Sequence, residues 1–393
     1  MDPLTHFLTG ACIGRAGLNR KTAYATLAAV LAAEAADVDM LWSFAGPVEA
    51  LKHHRGITHT FIGAPVVAAA VVGGVWLLDR GWTAWRLRRA SALGQNAERP
   101  TPAAVILSER SESTVVPLRL GRDAQPVRWG WLYLTALIAA LSHMLLDWTS
   151  NYGLRPFFPF NPRWYAGSLV FIVEPVFFAL FFFALVLPWL FGLADREIGV
   201  RRVAFRGRGW AIFALTGMVL LWGWRWAEQG RARMLAENTQ IAAAPVKRMA
   251  LEPYPVNPFR WHAILETETY YQTAEIDTRT GEIASDPSRD VMYKPPATAA
   301  VEAAKRTFLG QVYLDWGTWA VVRDIGPQPA PGLAPPHLAP NRQWTTVEFT
   351  DLRFAYPALG ADRTPGRAPL SGWVYIVDGR DDAGEAMNGR EQR

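Results

Sequence analysis

The apolar residues of this chain are gathered into long runs before residue 228, and arginine-rich polar turns separate them. Residues 58–79, 129–149, 168–193 and 209–227 are each apolar over about 20 positions, the length that crosses a hydrocarbon core of about 30 Å. Residues 3–18 read as a shorter helix, with His6 near its start. Residues 22–42 read as a second, Ala-rich helix that carries Glu34 and ends around Asp37-Val38-Asp39. Small residues at this density suit close helix packing in a membrane. After residue 230 the apolar runs shorten, and Pro, Thr, Asp and Glu rise. Asp277 to Glu282 reads as a hairpin turn between strands. Trp344–Phe354 and Gly372–Val377 read as further strands, 297–310 as a helix, and the Pro-rich 326–340 as a loop. The pattern predicts an α-helical membrane bundle over 1–228, a linker over 229–244, a soluble α+β domain over 245–380 and a disordered tail over 381–393.

Composition alone, half hydrophobic with 18 Trp and 19 Phe, would also fit a large soluble protein. The clustering of those residues decides for a membrane. The net charge of +5 is mostly arginine in a few loops. That speaks for membrane topology and not for nucleic acid. Loop 80–128 holds Arg80, Arg86, Arg88, Arg89, Arg99, Arg110, Arg119, Arg122 and Arg128, and 194–208 holds five more arginines. The positive-inside rule puts both loops in the cytoplasm. It places the N-terminus, Asp37, Asp39, His54, His59, His143, Asp147 and Glu174 together at the opposite face, with the C-terminal domain. Met1-Asp2-Pro3 lacks the basic start of a signal peptide. One cysteine, Cys12, excludes an internal disulfide.

The gathering of histidines and acids at one face is the main chemical signal. His54 and His59 bracket Arg55-Gly56 at the mouth of a span. His143 and Asp147 are four apart and share a helix face, either as two metal ligands or as a hydrogen-bonded pair. Asp37 and Asp39, two apart, cannot share a helix face, so one must leave helical geometry; a helix end facing water would do the same. Such groups are costly in a membrane without partners. Mixed imidazole and carboxylate donors suit a divalent ion, zinc first, with positions left for water. His54, His59 and His143 with at least one of Asp37, Asp39 and Asp147 are the expected ligands. His53 reads as solvated, His262 as structural and His337 as exposed.

Met1-Asp2-Pro3-Leu4-Thr5-His6, Asp37-Val38-Asp39, His54-Arg55-Gly56-Ile57-Thr58-His59 and His143-Met144-Leu145-Leu146-Asp147 with Gly153 resemble the YdjM-like family. These are bacterial inner-membrane proteins to which metal-dependent hydrolysis is ascribed. The resemblance covers roughly residues 1–180. It implies that His6, Asp37, Asp39, His54, His59, His143 and Asp147 are the polar site positions. Glu174 stands where the family often has Asp, and Ala36 where a proline usually precedes the first aspartate.

The expected function is a membrane-bound hydrolase whose divalent metal activates water. Asp39 or Asp147 would be the general base. Arg55 would stabilise an anion or hold lipid headgroups. Membrane lipid is the expected partner, and a lipid or lipid-linked ester or phosphoester the expected substrate. A transporter for a metal ion or small solute is the alternative, although transporters usually bind near the bilayer midplane. A structural or sensory protein with a partner-binding outer domain is the third reading.

Overall fold

The structure is a computed structural model and describes residues 1–95, 126–198, 207–355 and 368–392. Its N-terminal half is helical and its C-terminal part is mainly antiparallel sheet. Asp2 starts α1 (Pro3–Arg15): its side chain accepts the Thr5 amide at 2.9 Å and Pro3 opens the first turn, which satisfies an otherwise orphaned N–H. α1 lies against α2 (Ala25–Glu34). A Cβ on Gly10 would sit 2.7 Å from the Ala29 carbonyl oxygen, and one on Gly14 2.5 Å from Thr26 Cα. Only glycine lets the two backbones approach this closely.

A 3-10 stretch, Ala35–Phe44, follows α2 and leads to the short α3 (Pro47–His53). α4 (Gly63–Gln95), α5 (Trp129–Thr149) and α6 (Pro175–Glu197) complete the apolar bundle. Within them Gly63–Arg89, Trp129–Thr149 and Pro175–Asp195 are long and apolar enough to cross a membrane. Ala29, Ala32, Ala33, Ala68, Ala136 and Ala139 form the buried contact among α2, α4 and α5. α7 (Arg208–Asn238) is the last long helix. It holds the expected fourth span but is not among the three, since Trp, Gly and Arg225 dilute its Leu and Val. It still runs the height of the bundle. Arg208 Nε donates to the Ala16 carbonyl at 3.0 Å at one end, and Arg225 pairs with Glu174 at 2.9 Å towards the other.

The C-terminal part has two antiparallel sheets. In the first, β1 (Arg248–Pro253), β2 (Arg260–Glu266), β3 (Tyr270–Asp277) and β4 (Glu282–Ala284) lie in order, and β5 (Val291–Tyr293) also pairs with β3. After α8 (Ala299–Arg306) and α9 (Phe308–Trp316), the second sheet runs β6 (Ala320–Asp324), β7 (Trp344–Asp351), β8 (Gly372–Val377), β9 (Asp381–Met387), β10 (Arg390–Glu391). Its core is shared with the bundle. Val48 and Leu51 of α3 and Tyr152 of the loop after α5 are buried with Tyr313, Trp316, Phe349 and Phe354. The Gln392 side chain accepts the Val48 amide at 2.8 Å and donates to the Ala45 carbonyl at 3.0 Å. Arg155 pairs with Asp315 at 3.0 Å.

Several boundaries differ from the sequence reading. The helix expected over 22–42 ends as an α-helix at Glu34. The loop expected over 80–128 begins as helix, because α4 continues to Gln95; residues 96–125 lie outside the described part. Most of the expected linker 229–244 is the last part of α7, tied down where Glu228 accepts the Thr278 hydroxyl. The expected disordered tail forms β9 and β10, because β8 supplies an edge for β9 to pair with and β9 then supplies one for β10. The hairpin turn at 277–282 and the strand Gly372–Val377 lie where the pattern put them, while the strand expected over Trp344–Phe354 ends at Asp351 and gives way to a 3-10 turn over Leu352–Phe354.

Candidate metal centre

The bundle brings three short pieces of chain to one end. They are the 3-10 stretch after α2, the 3-10 turn Ile57–His59 before α4, and the last turns of α5. Leaving α-helical geometry after Glu34 lets Asp37 and Asp39 both turn inward, while Val38 between them is 53% exposed. Asp39 then acts as a clamp. It accepts the Arg55 amide at 2.8 Å and the Thr58 hydroxyl at 3.3 Å on Oδ2, and faces His54 Nδ1 at 3.3 Å with Oδ1. Arg55 adopts a left-handed backbone, φ 55°, which costs energy for a residue other than glycine. That conformation aims its amide at Asp39 and its guanidinium at Asp147.

The tautomers of two buried histidines follow from their outer nitrogens. His143 Nδ1 lies 2.6 Å from the Ala33 carbonyl oxygen. A carbonyl only accepts, so Nδ1 carries the proton. His59 Nδ1 lies 3.1 Å from the Thr58 hydroxyl oxygen and 3.2 Å from Asp39 Oδ2; with the Thr58 hydroxyl proton directed to Asp39, both are acceptors towards the ring and Nδ1 carries the proton. Each Nε2 is then left with a lone pair, and the two Nε2 atoms are 2.9 Å apart. Around them stand Asp37 Oδ1, 3.3 Å from His59 Nε2 and 3.6 Å from His143 Nε2, and Asp147 Oδ2, at 3.5 and 3.4 Å. With both rings neutral, four electron-pair donors converge here, the set that a cation would take in place of a proton.

Asp147 is completely buried. Its Oδ1 takes Arg55 Nη2 at 2.7 Å and the Met1 amino group. Arg55 Nη1 donates to the Gly153 carbonyl. Asp147 Oδ2 has no hydrogen-bond partner among the described residues, nor has either ring nitrogen of His6. The His6 ring stacks on His143 at 3.7 Å, and its Nε2 is 3.4 Å from Asp147 Oδ1. Buried polar atoms without partners are rare, and an ion is one thing that satisfies them. Three overlapping groups have ligand atoms within 4.8 Å of one another: His6, His143 and Asp147; Asp37, His59 and His143; Asp37, Asp39 and His54.

The local field favours a cation. Burial opposes ionisation of Asp37 and Asp39. The contacts with His54 and His59 and the adjacent imidazoles outweigh it and hold both carboxyls below the usual range. Burial also opposes a charge on His59, but Asp37 and Asp39 reverse that and raise its pKa.

Most of the expected residues meet here: His6, Asp37, Asp39, His54, His59, His143 and Asp147 share the cluster. Glu174 does not. It is buried in an ion pair with Arg225 and accepts the Val176 and Val256 amides at 3.3 and 3.1 Å, so its oxygens serve the joint between bundle and sheet. Arg55 is 1% exposed and spends both terminal nitrogens on Asp147 and Gly153. It orients a carboxylate and does not stand ready for a substrate anion. Asp39 is likewise engaged on both oxygens, unlike a free base. His53, partly exposed, stacks on Trp42 at 4.1 Å and faces Glu49. His262 is buried against Glu275 at 2.8 Å, and His337 is exposed.

Tyr152 and the Ala33 carbonyl escaped the sequence reading. Tyr152 packs edge-on to His54 at 5.4 Å, and the Arg55 guanidinium lies 4.5 Å from its ring centre. Its position directly before Gly153 was the available signal. The Ala33 carbonyl has no signal, because any residue there would present one.

A family model for YdjM inner membrane proteins matches residues 1–232, a stretch that contains every member of the cluster. No curated protein and no solved structure matches the chain.

Proposed function

The chain belongs to the YdjM inner membrane protein family, and from that premise we propose that it is a membrane-bound metal-dependent hydrolase of esters or phosphoesters. The facing Nε2 lone pairs of His59 and His143, 2.9 Å apart beside two carboxylates, carry this reading. Imidazole and carboxylate donors in this number fit zinc or a similar divalent ion. His59, His143, Asp37 and Asp147 would hold it, with His6 and His54 extending the donor set. When bound, such an ion supplies a Lewis acid and a water of lowered pKa. Asp39 fixes the His59 tautomer and Arg55 fixes Asp147, the outer partners that ligands need. Asp37, the most exposed acid of the cluster at 15%, would use its second oxygen to accept a proton at the mouth of the site. The transporter reading is less well supported, because the cluster sits at helix ends and not mid-bundle.

Elemental analysis of detergent-purified protein tests the reading, together with turnover of a phosphodiester and carboxylic ester panel before and after chelation. About one or more zinc-like ions per chain and chelator-sensitive hydrolysis are expected. Metal without turnover on any substrate would favour a structural or sensory role, and absence of metal would remove the reading altogether.

We also infer that the cluster and the C-terminal domain lie outside the cytoplasm, because α4 starts beside the cluster and carries Arg80, Arg86, Arg88 and Arg89 towards its far end. A periplasm-dependent reporter fused to the C-terminus is expected to be active, and one inserted near Ser111 silent. The opposite pattern would invert the topology.

A further inference from the structure

The segment that supplies Asp37 and Asp39 has an unusual outer face. Val38 is 53% exposed, Met40 48%, Leu41 60%, Trp42 48% and Phe44 89%. Ile57, Phe61 and Ile62 on the other side of the cluster are each more than half exposed, and Phe160 is 82% exposed. Large apolar side chains exposed in such number around one site mark an interaction surface.

The neighbouring chain identifies what covers it. Phe61 and Ile62 lead directly into α4, whose span exposes Val66 and Leu77 at 65% and 64%. The apolar collar therefore continues the surface that the bundle turns to lipid. The 35–44 segment packs against α4 and α3, and Gln392 holds the adjacent Ala45 carbonyl. The collar thus lies where the bundle meets the C-terminal domain, at the depth of headgroups and upper acyl chains. Aromatic side chains concentrate at this depth. The more accessible members of the cluster, Asp37 and His54 at 15% and 19%, open beside this collar.

We propose that residues 35–44 and 57–62 insert into the leaflet on the C-terminal-domain side, so that the cluster opens into lipid and takes an amphiphile whose polar head arrives from within that leaflet. This rests on the hydrolase reading only for the fate of the head group. The insertion and the direction of entry rest on the collar.

Cys12 is completely buried, so a thiol introduced at the surface can be spin-labelled selectively, with the parent chain as blank. In nanodiscs of phosphatidylethanolamine and phosphatidylglycerol, a label on Phe44→Cys is expected to relax with dissolved oxygen as a Leu77→Cys label does. It should be shielded from a water-soluble nickel chelate that reaches a Thr280→Cys label in the β3–β4 turn. Nickel accessibility equal to that at 280 would overturn the insertion. So would shielding from both reagents, which would mean a protein covers the collar. Turnover is read separately, with a long-chain and a short-chain phosphodiester of the same head group. At least tenfold preference for the long-chain diester is expected. Equal or faster cleavage of the short-chain diester overturns the amphiphile and leaves the hydrolase standing. Cleavage of neither overturns the phosphodiester form of the hydrolase reading and with it the phosphodiester amphiphile, while the label still decides the insertion.

Discussion

A chain with His143 replaced by alanine is expected to reach the membrane folded and to lose its metal. Insertion follows apolar length, and the span Trp129–Thr149 keeps that length. A single truncation costs roughly 0.5–3 kcal/mol of stability, less than a bundle of this size needs to unfold. The metal effect is larger. His143 belongs to two of the three overlapping donor groups, and its Nδ1 bond to Ala33 fixes the lone pair that faces His59. Loss of an outer partner of a ligand typically costs 10–100-fold in metal affinity or activity, so loss of a ligand should exceed about 100-fold. Metal content after gel filtration at fixed free zinc, and hydrolysis where the parent shows it, are the measurements. His53→Ala is the matched control. That ring touches Trp42 and Glu49 and no member of the cluster, so its metal content should equal the parent's. Full metal content in both His143→Ala and His59→Ala would end the hydrolase reading.

The residues of this site were legible to different degrees, for physical reasons. Apolar length is a property of composition, so the span over 129–149 could be read to the residue. Asp37 and Asp39, at a spacing no helix face accommodates, announced the 3-10 stretch in general terms but not where it begins. The family resemblance supplied His6, which periodicity alone leaves as one polar residue in a short helix. Arg55 could be named but not assigned. Its partners Asp147 and Gly153 are 92 and 98 residues away, and its left-handed backbone has no sequence signature in a residue other than glycine. Glu174 misled because its partner Arg225 lies 51 residues on in another helix, a pairing that spacing does not reveal. The tail misled because β9 has no apolar alternation of its own. It is a strand only because β8 lies beside it, and tertiary pairing overrides local preference at such an edge. The same limit hid the insertion of α3 into the C-terminal core, since Val48 and Leu51 carry no local sign of a distant partner.

That shared core leads to the second large effect, which is expected at Arg353, far from the cluster in sequence. Arg353 is 3% exposed. Its Nε and Nη2 make two bonds of 2.9 Å to the carboxylate of Asp351. Nη1 reaches the Asn151 carbonyl at 3.2 Å, and Nη2 the Trp316 carbonyl at 3.3 Å. Glu252 lies in the same buried pocket, and burial pushes its carboxyl up to about 8 against the pull of Arg353. Glu252 is therefore mostly neutral near pH 7, which leaves the guanidinium to Asp351 and the carbonyls. The grip on Asn151 sets Tyr152, whose ring packs between Trp316 at 5.0 Å on one side and His54 and Arg55 on the other. Arg55 in turn holds Asp147. A C-terminal side chain thus positions a candidate ligand through two intermediates. Arg353→Ala leaves Asp351 buried and unpaired, a loss of roughly 3–5 kcal/mol, and is expected to unfold the C-terminal domain. Arg353→Lys separates folding from positioning. An ammonium keeps the charge beside Asp351 but lacks the fork that spans carboxylate and carbonyls together. That variant is expected to stay folded by limited proteolysis and to bind zinc roughly tenfold more weakly, as loss of an outer partner does. Tyr152→Ala should reproduce the deficit, and the double variant should show less than the sum of the two losses, because both act on one path. A folded Arg353→Lys protein with parental zinc affinity would show that the C-terminal domain rests on the site without shaping it.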